Sequence, residues 1–258
     1  MVGTDTDVGK TLLSCALLEG FAAQGLSVVG MKPVSAGVNE HGVNEDVRLL
    51  RAAGNVEAAA GQINPYRFEQ AVAPHLAARF AGVNIDLSRI VESYRELATQ
   101  ADVVIVEGAG GFRVPLNRCE DGADLAKQLN LPLILVVGMR LGCLNHALLT
   151  VEAILSRGLR LAGWVANCVD KDMSMLAENI AALQTRINAP LLGVVPHCQN
   201  LPNLHGKCVT HDNETLHARF PHPNPLPSAG EGADEALSDF LVTAREMAKY
   251  LDLVLLSR

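Results

Sequence analysis

The sequence predicts an α/β fold with a doubly wound, mostly parallel sheet and helices on both faces, and two observations lead to it. Short apolar runs alternate with segments of helical periodicity, an alternation typical of βαβ crossovers between parallel strands. A glycine-rich turn ending in Gly-Lys-Thr occupies residues 3–11, and such turns cradle phosphate between a strand and a helix. Together the two features predict a fold of the P-loop NTPase type.

The glycine-rich turn reads Gly-Thr-Asp-Thr-Asp-Val-Gly-Lys-Thr. Its glycines allow backbone N–H groups to converge on phosphate oxygens, and a helix that begins near Gly9 directs its positive end at the same anion. Lys10 can reach the outer phosphates, and the hydroxyl of Thr11 can bind Mg²⁺. The spacing from Gly3 to Gly9 is one residue longer than in the common form of the motif, so the context must support the assignment.

The start of the chain departs from the usual context of a phosphate loop. Such a loop follows a buried strand, but only Met1 and Val2 precede Gly3. Because this is too short for an ordinary strand, the sequence predicts that the first, central strand is truncated or absent. After the loop, apolar residues at helical spacing predict a helix over residues 10–25, with Gly25 as its stop signal.

Further along the chain, five apolar runs predict buried parallel strands, and helical patterns separate them. The predicted strands are residues 27–34, 101–107, 131–138, 159–167 and 190–196. The predicted helices are residues 45–53, 86–100, 121–129, 143–156, 173–187 and 233–250. We interpret residues 1–258 as a single domain, interrupted at about residues 203–232 by a proline- and glycine-rich insertion that we expect to be disordered.

Composition argues against several classes of protein. The chain is 49% hydrophobic and 19% charged, as in soluble globular proteins, and its net charge of −7 argues against a surface that binds nucleic acid, which would need a basic stripe. The longest apolar run, residues 131–139, contains a proline and is too short to cross a bilayer. We expect no signal peptide. The six cysteines form no Cys-x-x-Cys pair, so we predict reduced thiols in a cytoplasmic protein.

Polar residues at the predicted strand ends are the candidates for chemistry, because ligands of doubly wound sheets bind there. Lys32 is either a solvated surface lysine or a cation directed at a reacting phosphoryl or carboxylate group. Glu107 follows an apolar strand and suits Mg²⁺, although a loop or capping acid is the alternative. Asp46 stands in the first turn of a helix, where the helix dipole alone accounts for it. Asn167 can read a base edge or simply end a strand.

Several motifs occur in a fixed order along the chain. They are the loop at residues 3–11, Lys32-Pro33-Val34, Asn64-Pro65-Tyr66, Val106-Glu107-Gly108-Ala109-Gly110-Gly111, Leu141-Gly142-Cys143-Leu144-Asn145-His146-Ala147, Gly163-Trp164-Val165-Ala166-Asn167 and Ala189-Pro190-Leu191-Leu192-Gly193. Together they resemble the ATP-dependent dethiobiotin synthetases, in register from Gly3 to Pro196. Residues 251–256 are similar to the chain end of that family.

The resemblance implies an enzyme of biotin biosynthesis that uses ATP and Mg²⁺ and acts as a homodimer. Its reaction would convert 7,8-diaminononanoate and CO₂ into dethiobiotin, through a carbamate and a carbamic-phosphoric anhydride. Phosphoryl transfer of this kind depends on positioning and charge neutralisation more than on covalent help from the protein. The implied partners are the diamine, CO₂ and ATP, with neither nucleic acid nor membrane among them.

The resemblance also implies roles for individual residues. The catalytic residues would be Lys10 and Lys32. The Mg²⁺ ligands would be Thr11, Asp46 and Glu107. ATP would contact Asp7, Val8, Gly9, Lys10, Thr11, Leu12, Asp46, Glu107, Gly108, Ala109 and Gly110, with Asn167, Cys168, Pro196, His197 and Cys198 near the adenine. The diamine would contact Thr6, Lys32, Ser35, Gly142, Cys143, Leu144 and Asn145.

Two positions depart from the family pattern. The family usually has Lys-Pro-Val-Ala-Ser-Gly where this chain has a serine at Ser35 and an alanine at Ala36, so the hydroxyl has moved by one residue. Cys168 stands where an aspartate is common. These departures concern the contacts to the diamine and to adenine, not the phosphate loop.

Other functions remain open on the sequence alone. A P-loop ATPase switch of the partition or septum-positioning kind would carry a lysine directly after the first loop glycine, where this chain has Thr4. An amidoligase of the cobyrinate type would need a glutaminase domain with a Cys–His pair, for which the chain has no room. An inactive relic of the synthetase would keep the fold and lose turnover.

Overall fold

The computed structural model describes residues 1–39 and 41–197, together with residues 238, 241, 244, 245 and 248. Its strands are β1 (Val2–Gly3), β2 (Val28–Met31), β3 (Val34–Ala36), β4 (Tyr66–Phe68), β5 (Val103–Val106), β6 (Leu133–Gly138), β7 (Leu161–Asn167) and β8 (Leu191–Val195). Its helices are α1 (Lys10–Ala22), α2 (Glu45–Ala53), α3 (Ala60–Ile63), α4 (Pro74–Phe80), α5 (Leu87–Ala98), α6 (Gly122–Leu129), α7 (Cys143–Ser156) and α8 (Leu176–Arg186). Every pairing between these strands is parallel.

The main sheet is arranged around β1. One ladder has the order β1-β6-β7-β8, and β2 pairs with β5 in another. Met1 joins the two ladders, because its amino group donates to the carbonyl oxygen of Val106 at 2.7 Å and its carbonyl accepts from the N–H of Gly108 at 3.0 Å. The combined order is therefore β2-β5-β1-β6-β7-β8, and the predicted parallel α/β sheet is confirmed.

Helices cover both faces of this sheet, as β6 shows. Val136 belongs to a core formed with α1 and α2, whereas Leu135 and Val137 belong to a core formed with α7 and α8. Successive side chains of a strand point to opposite faces, so the two cores lie on opposite sides of the sheet.

The first strand is present, although it is short. Val2 and Gly3 pair in parallel with Leu135 and Val136, and the N–H of Thr4 donates to the carbonyl oxygen of Val136 at 3.1 Å. The strand is two residues long, so the alternative that it is absent is wrong. Pairing with β6 and the hydrogen bonds of Met1 to Val106 and Gly108 hold a segment that its own length would not stabilise.

The predicted strand over residues 27–34 is in fact two strands, β2 and β3. The chain leaves the β2–β5 ladder at Lys32, whose N–H donates to the carbonyl oxygen of Ile63 at 2.9 Å, and the carbonyl of Pro33 accepts from Tyr66 at 3.2 Å. Because proline has no N–H to continue a ladder, the chain turns here and pairs with β4 instead. The sequence did not predict β4, α3 or α4, which are each short.

The predicted helix bounds agree well with the structure. The bounds of α2 and α7 match the predictions, and α5, α6 and α8 lie within theirs. The first helix ends at Ala22 rather than at residue 25, and Gly25 follows with a φ of 85°, the left-handed conformation predicted for a helix stop. Across the described residues, no helix combines the length and apolar character needed to cross a membrane.

The C-terminal part is described at a few positions. The predicted insertion at residues 203–232 lies outside the described residues, and so does Cys198. The described positions between residues 238 and 248 are helical, as predicted. Ala244 is buried in the core that contains α1, and Arg245 lies 3.0 Å from Glu19 of that helix.

Candidate active site

The phosphate loop leads from β1 into the N-terminus of α1. Gly9 is the N-cap residue, with a φ of 90°, and no side chain caps the helix. The N–H groups of a first helical turn have no partners within the helix, so this end of α1 can bind an anion. The side chain of Lys10 is buried within the loop, and its Nζ donates to the carbonyl oxygen of Asp5 at 2.8 Å.

Asn167, at the end of β7, holds this loop from the adjacent side. Its Nδ2 donates to the carbonyl oxygen of Val8 at 2.9 Å. The sequence suggested a base-reading residue or a strand stop, and the structure adds a third role, the support of the phosphate loop. The contact is close enough that a Cβ on Gly9 would lie 2.2 Å from the Asn167 amide nitrogen.

We therefore expect Gly9→Ala to destabilise the protein and to weaken ATP binding strongly. Alanine would have to adopt a positive φ and would also collide with Asn167. Gly25→Ala is the matched control, because Gly25 has a similar φ of 85° but nothing within 4 Å of its Cβ position. Backbone strain alone costs about 1–3 kcal/mol. Thermal melting and ATP titration of both variants separate the effect of backbone strain from that of the collision with Asn167. Equal losses of melting temperature and ATP affinity in the two variants would contradict the collision.

A cluster of one lysine and two carboxylates lies beside the loop. Lys32 Nζ lies 2.8 Å from Asp46 Oδ2 and 2.6 Å from Glu107 Oε1. The hydroxyl oxygen of Thr11 lies 2.9 Å from Asp46 Oδ1 and 2.8 Å from Glu107 Oε1. Because a hydroxyl has a single proton, Thr11 can donate to only one of these carboxylates at a time. Four elements thus meet at one point: the end of β2, the first turn of α2, the end of β5 and the first turn of α1.

Burial and charge together define the protonation of the lysines. Burial by itself lowers the pKa of Lys32, but the charges and hydrogen bonds of Glu107 and Asp46 outweigh it and raise the pKa above its usual value. Lys32 is therefore protonated at any physiological pH, and its 4% exposure rules out the surface-lysine interpretation. Burial, assisted by the charge of Lys32, lowers the pKa of Lys10.

Glu107 is the most deeply buried acid of the cluster, with no exposed surface. Its Oε2 has no hydrogen-bond partner among the described residues. A buried acceptor without a partner costs free energy, so this oxygen is a place where a cation or a donor belongs. This favours the metal-ligand interpretation of Glu107 over a capping acid.

The donor set of the cluster fits Mg²⁺. It consists of two carboxylates and one hydroxyl, all of them oxygen ligands, and Mg²⁺ binds to few protein oxygens while it keeps several waters. Within the described part of the chain there is no group of three or more His, Cys, Asp or Glu side chains suited to a metal. Oxygen donors of this kind suit a hard cation better than zinc, which is bound mainly by Cys and His.

A second uncapped helix end lies close to the phosphate loop. Gly142 is the N-cap of α7, with a φ of 93° and no side-chain cap, and the predicted substrate residues Cys143, Leu144 and Asn145 form the first turn. Arg140 links this loop to the phosphate loop, because its Nη2 donates to Asp5 Oδ2 at 2.6 Å. Through this contact the loop before α7 is held beside the phosphate loop.

Sequence reasoning missed the pair of Arg140 and Asp5. Arg140 follows the predicted strand at residues 131–138, a position that indicates proximity to a ligand, but nothing in the sequence points to its partner. The two residues are 135 positions apart, so only the fold brings them into contact.

The other predicted site residues are distributed around these features. Gly108, Ala109 and Gly110 line a cavity of about 40 Å³ next to Glu107, together with Pro33 and Val34. Ser35 is buried, and its hydroxyl donates to Asn64 Oδ1 at 2.9 Å, so it contacts a neighbouring loop of the protein.

The residues predicted to lie near adenine form a separate group. Cys168 follows Asn167 directly, and its carbonyl oxygen lies 3.1 Å from His197 Nδ1. Burial raises the pKa of the Cys168 thiol, which keeps it protonated. Asn167, Cys168 and His197 thus lie together on the β7–β8 side of the phosphate loop, next to Pro196.

Comparison with known proteins gives consistent matches. Residues 1–204 match the family described as AAA domain. The ATP-dependent dethiobiotin synthetase BioD of Aromatoleum aromaticum is 56% identical over 200 residues, which cover 76% of this chain and 89% of that protein. The protein of the same name from Nitrosospira multiformis is 54% identical over 200 residues, which cover 78% of this chain and 88% of that protein.

Solved structures agree with the fold. The MinD cell division protein of Aquifex aeolicus superposes on this chain with a TM-score of 0.51 and is 14% identical in sequence. The match covers 96% of this chain and 95% of the MinD chain. At this identity the likeness shows the fold alone. It confirms the P-loop architecture that the sequence predicts.

Proposed function

The chain belongs to the ATP-dependent dethiobiotin synthetases, and we propose that it closes the ureido ring of dethiobiotin from 7,8-diaminononanoate, CO₂ and ATP. It is an ATP-dependent ligase that forms a C–N bond. The observation that best supports the proposed chemistry is the convergence of Lys32, Asp46, Glu107 and Thr11 beside the phosphate loop. These groups carry the charges that phosphoryl transfer to a carboxylate-like acceptor requires.

The proposed reaction has three steps. One amine of the substrate attacks CO₂ and loses a proton to solvent, which gives a carbamate. A carbamate oxygen then attacks the γ-phosphorus of ATP, so that ADP leaves and a carbamic-phosphoric anhydride forms. The second amine finally attacks the carbonyl carbon and releases a proton to solvent, and the ring closes as phosphate leaves with the electrons of the broken C–O bond.

The lysines would act on the charge that develops during these steps. Lys10 would leave the carbonyl of Asp5 and bind the outer phosphates, assisted by the first-turn N–H groups of α1. Lys32 would face the carbamate and the transferred phosphoryl group. Because Asp46 and Glu107 keep Lys32 protonated, its positive charge is present at every step without a proton transfer.

Thr11, Asp46 and Glu107 would hold Mg²⁺, which neutralises phosphate charge when it is bound. The partnerless Oε2 of Glu107 supports this assignment. Asn167, Cys168 and His197 would lie against the adenine, and Gly108 to Gly110 would line the path between the nucleotide and the diamine.

The distal carboxylate of the diamine would bind at the N-terminus of α7. This helix end has no side-chain cap and is joined to the phosphate loop through Arg140 and Asp5. In the resembled family a neighbouring subunit completes this subsite, so we propose a homodimer in the cytoplasm. Sedimentation equilibrium tests the dimer, and a monomer at micromolar concentration would contradict it.

A turnover assay tests the function directly. We expect the purified chain, with the diamine, bicarbonate and Mg-ATP, to release phosphate and dethiobiotin in equal amounts, measured by phosphate detection and mass spectrometry. Omission of the diamine should abolish phosphate release. An ATPase switch of the septum-positioning kind would hydrolyse ATP without the diamine, and an inactive relic would release nothing in either case.

A further inference from the structure

The chain leaves the β2–β5 ladder at Lys32, the lysine on which the proposed reaction depends. Strand β2 ends at Met31, and the following Pro33 has no N–H with which to continue the ladder. The N–H of Lys32 finds its acceptor outside the main sheet, in the carbonyl oxygen of Ile63 at 2.9 Å. The backbone of Lys32 is therefore held by the short loop that follows α3.

The side chain of Asn64 completes the hold of this loop on Lys32. Its Nδ2 donates to the carbonyl oxygen of Lys32 at 2.6 Å and to that of Tyr66 at 3.1 Å. Its Oδ1 accepts from the hydroxyl of Ser35 at 2.9 Å. Carbonyl oxygens only accept, so a carboxamide with its nitrogen toward the carbonyls and its oxygen toward the hydroxyl satisfies all three partners. One side chain thus joins the end of β2 to β3 and β4.

The partners of Asn64 lie in the interior of the protein. Lys32, Ser35 and Tyr66 are all buried, so water has little access to replace a lost hydrogen bond. A buried carbonyl that loses its donor costs about 1–3 kcal/mol. Without the Asn64 amide, the backbone at Lys32 would therefore be driven to move toward another donor.

We infer that Asn64 is a positioning residue, which fixes the backbone of Lys32 so that its ammonium group stays between the two carboxylates of the site. The inference rests on the role proposed above for Lys32, whose Nζ lies 2.8 Å from Asp46 and 2.6 Å from Glu107. A misplacement of about 1 Å can cost on the order of 10²-fold in rate. Asn64 contacts the backbone of Lys32 and acts through it, so its loss should lower kcat and leave ATP binding intact.

The same network gives Ser35 a role other than contact with the diamine. Its hydroxyl donates to Asn64 and is buried. Successive side chains of a strand point to opposite faces, so Ser35 and Ala36 face opposite sides of β3. The family serine stands at the position of Ala36, and the moved hydroxyl of this chain therefore orients the Asn64 carboxamide.

Asn64→Asp tests the inference in the full chain, because a carboxylate has the shape of the amide but cannot donate. An oxygen would then face the carbonyl of Lys32 where Nδ2 now donates. We expect kcat per folded enzyme, counted by ATP binding, to fall by about 10–100-fold, with the KM for ATP nearly unchanged. Amide exchange at Lys32, measured without substrates, should become about tenfold faster or more, because the loop that holds its N–H would loosen.

Asn55→Asp is the matched control, because Asn55 holds the opposite end of β2. Its Nδ2 donates to the carbonyl oxygen of Leu26 at 2.9 Å, and its Oδ1 accepts from the N–H of Val28 at 2.7 Å. This variant loses the same kind of donor away from Lys32, so it should lower the melting temperature and leave kcat unchanged. Equal losses of kcat in the two variants, or an unchanged kcat in Asn64→Asp, would overturn the inference.

Ser35→Ala provides a second variant that removes only the hydroxyl bonded to Asn64. We expect kcat to fall less than in Asn64→Asp, by about threefold or more, and the KM for the diamine to stay the same. A raised KM for the diamine with an unchanged kcat would place Ser35 against the substrate and overturn its role. If the unchanged chain shows no turnover, the proposed function fails, whereas amide exchange at Lys32 still decides whether Asn64 fixes its backbone. Unchanged exchange in Asn64→Asp would show that it does not.

Discussion

Single-turnover phosphate release is expected to fall by about 10²–10³-fold for each lost contact to the transition state when Lys10 or Lys32 is replaced by alanine. Each lysine is buried beside the phosphate loop, and each would neutralise charge on the transferred phosphoryl group. Lys127→Ala is the matched control, because Lys127 is an exposed lysine in the last turn of α6. If either Lys10→Ala or Lys32→Ala released phosphate about as fast as the unchanged chain, the proposed role of the replaced lysine would be contradicted.

The two lysine variants should differ in stability. From the sequence alone, both lysines look like residues whose removal leaves the fold intact. In the structure, however, Lys32→Ala would leave Asp46 and Glu107 facing each other without their shared cation. Removal of one partner from a buried ion pair costs about 3–5 kcal/mol. We therefore expect a lower melting temperature for Lys32→Ala than for Lys10→Ala, and Mg²⁺ should restore part of the difference.

The sequence predicted most of the sheet because parallel strands are buried on both faces. Each appears as an unbroken apolar run, as in β5 and β6, and the runs alternate with helical patterns. The short β4, α3 and α4 have too few residues for a period to be recognisable. The break after β2 depended on Lys32 and Pro33 finding partners near Ile63 and Tyr66, which no local pattern encodes.

The candidate site was predictable to a different extent. The position of Lys32 and Glu107 at strand ends pointed to a ligand, because parallel strands bring their carboxyl ends to one edge. Their contact could not be read from spacing, since they are 75 positions apart. Asp46 was explained locally by the helix dipole, and only its approach to Lys32 and Thr11 indicates another role.

Glu107→Gln is expected to lower turnover severely and to weaken the binding of Mg²⁺, while ATP binding is partly retained. The amide has the size of the carboxylate but not its charge, so one of the two anionic ligands of the proposed Mg²⁺ site is lost. We expect the Mg²⁺ concentration for half-maximal activity to rise by about tenfold or more, equivalent to about 1.4 kcal/mol. Lys10 and the first turn of α1 remain to bind the phosphates.

The change has a second consequence that separates a metal ligand from a structural acid. The charge of Glu107 raises the pKa of Lys32, so Glu107→Gln also weakens the ion pair that holds Lys32 in place. A purely structural acid would lower the melting temperature and leave the Mg²⁺ titration of the remaining activity unchanged. Glu92→Gln, at an exposed position of α5, is the control and should change neither the melting temperature nor the Mg²⁺ titration. A shifted titration with Glu107→Gln alone would therefore support direct Mg²⁺ binding, and an unshifted one would make Glu107 structural.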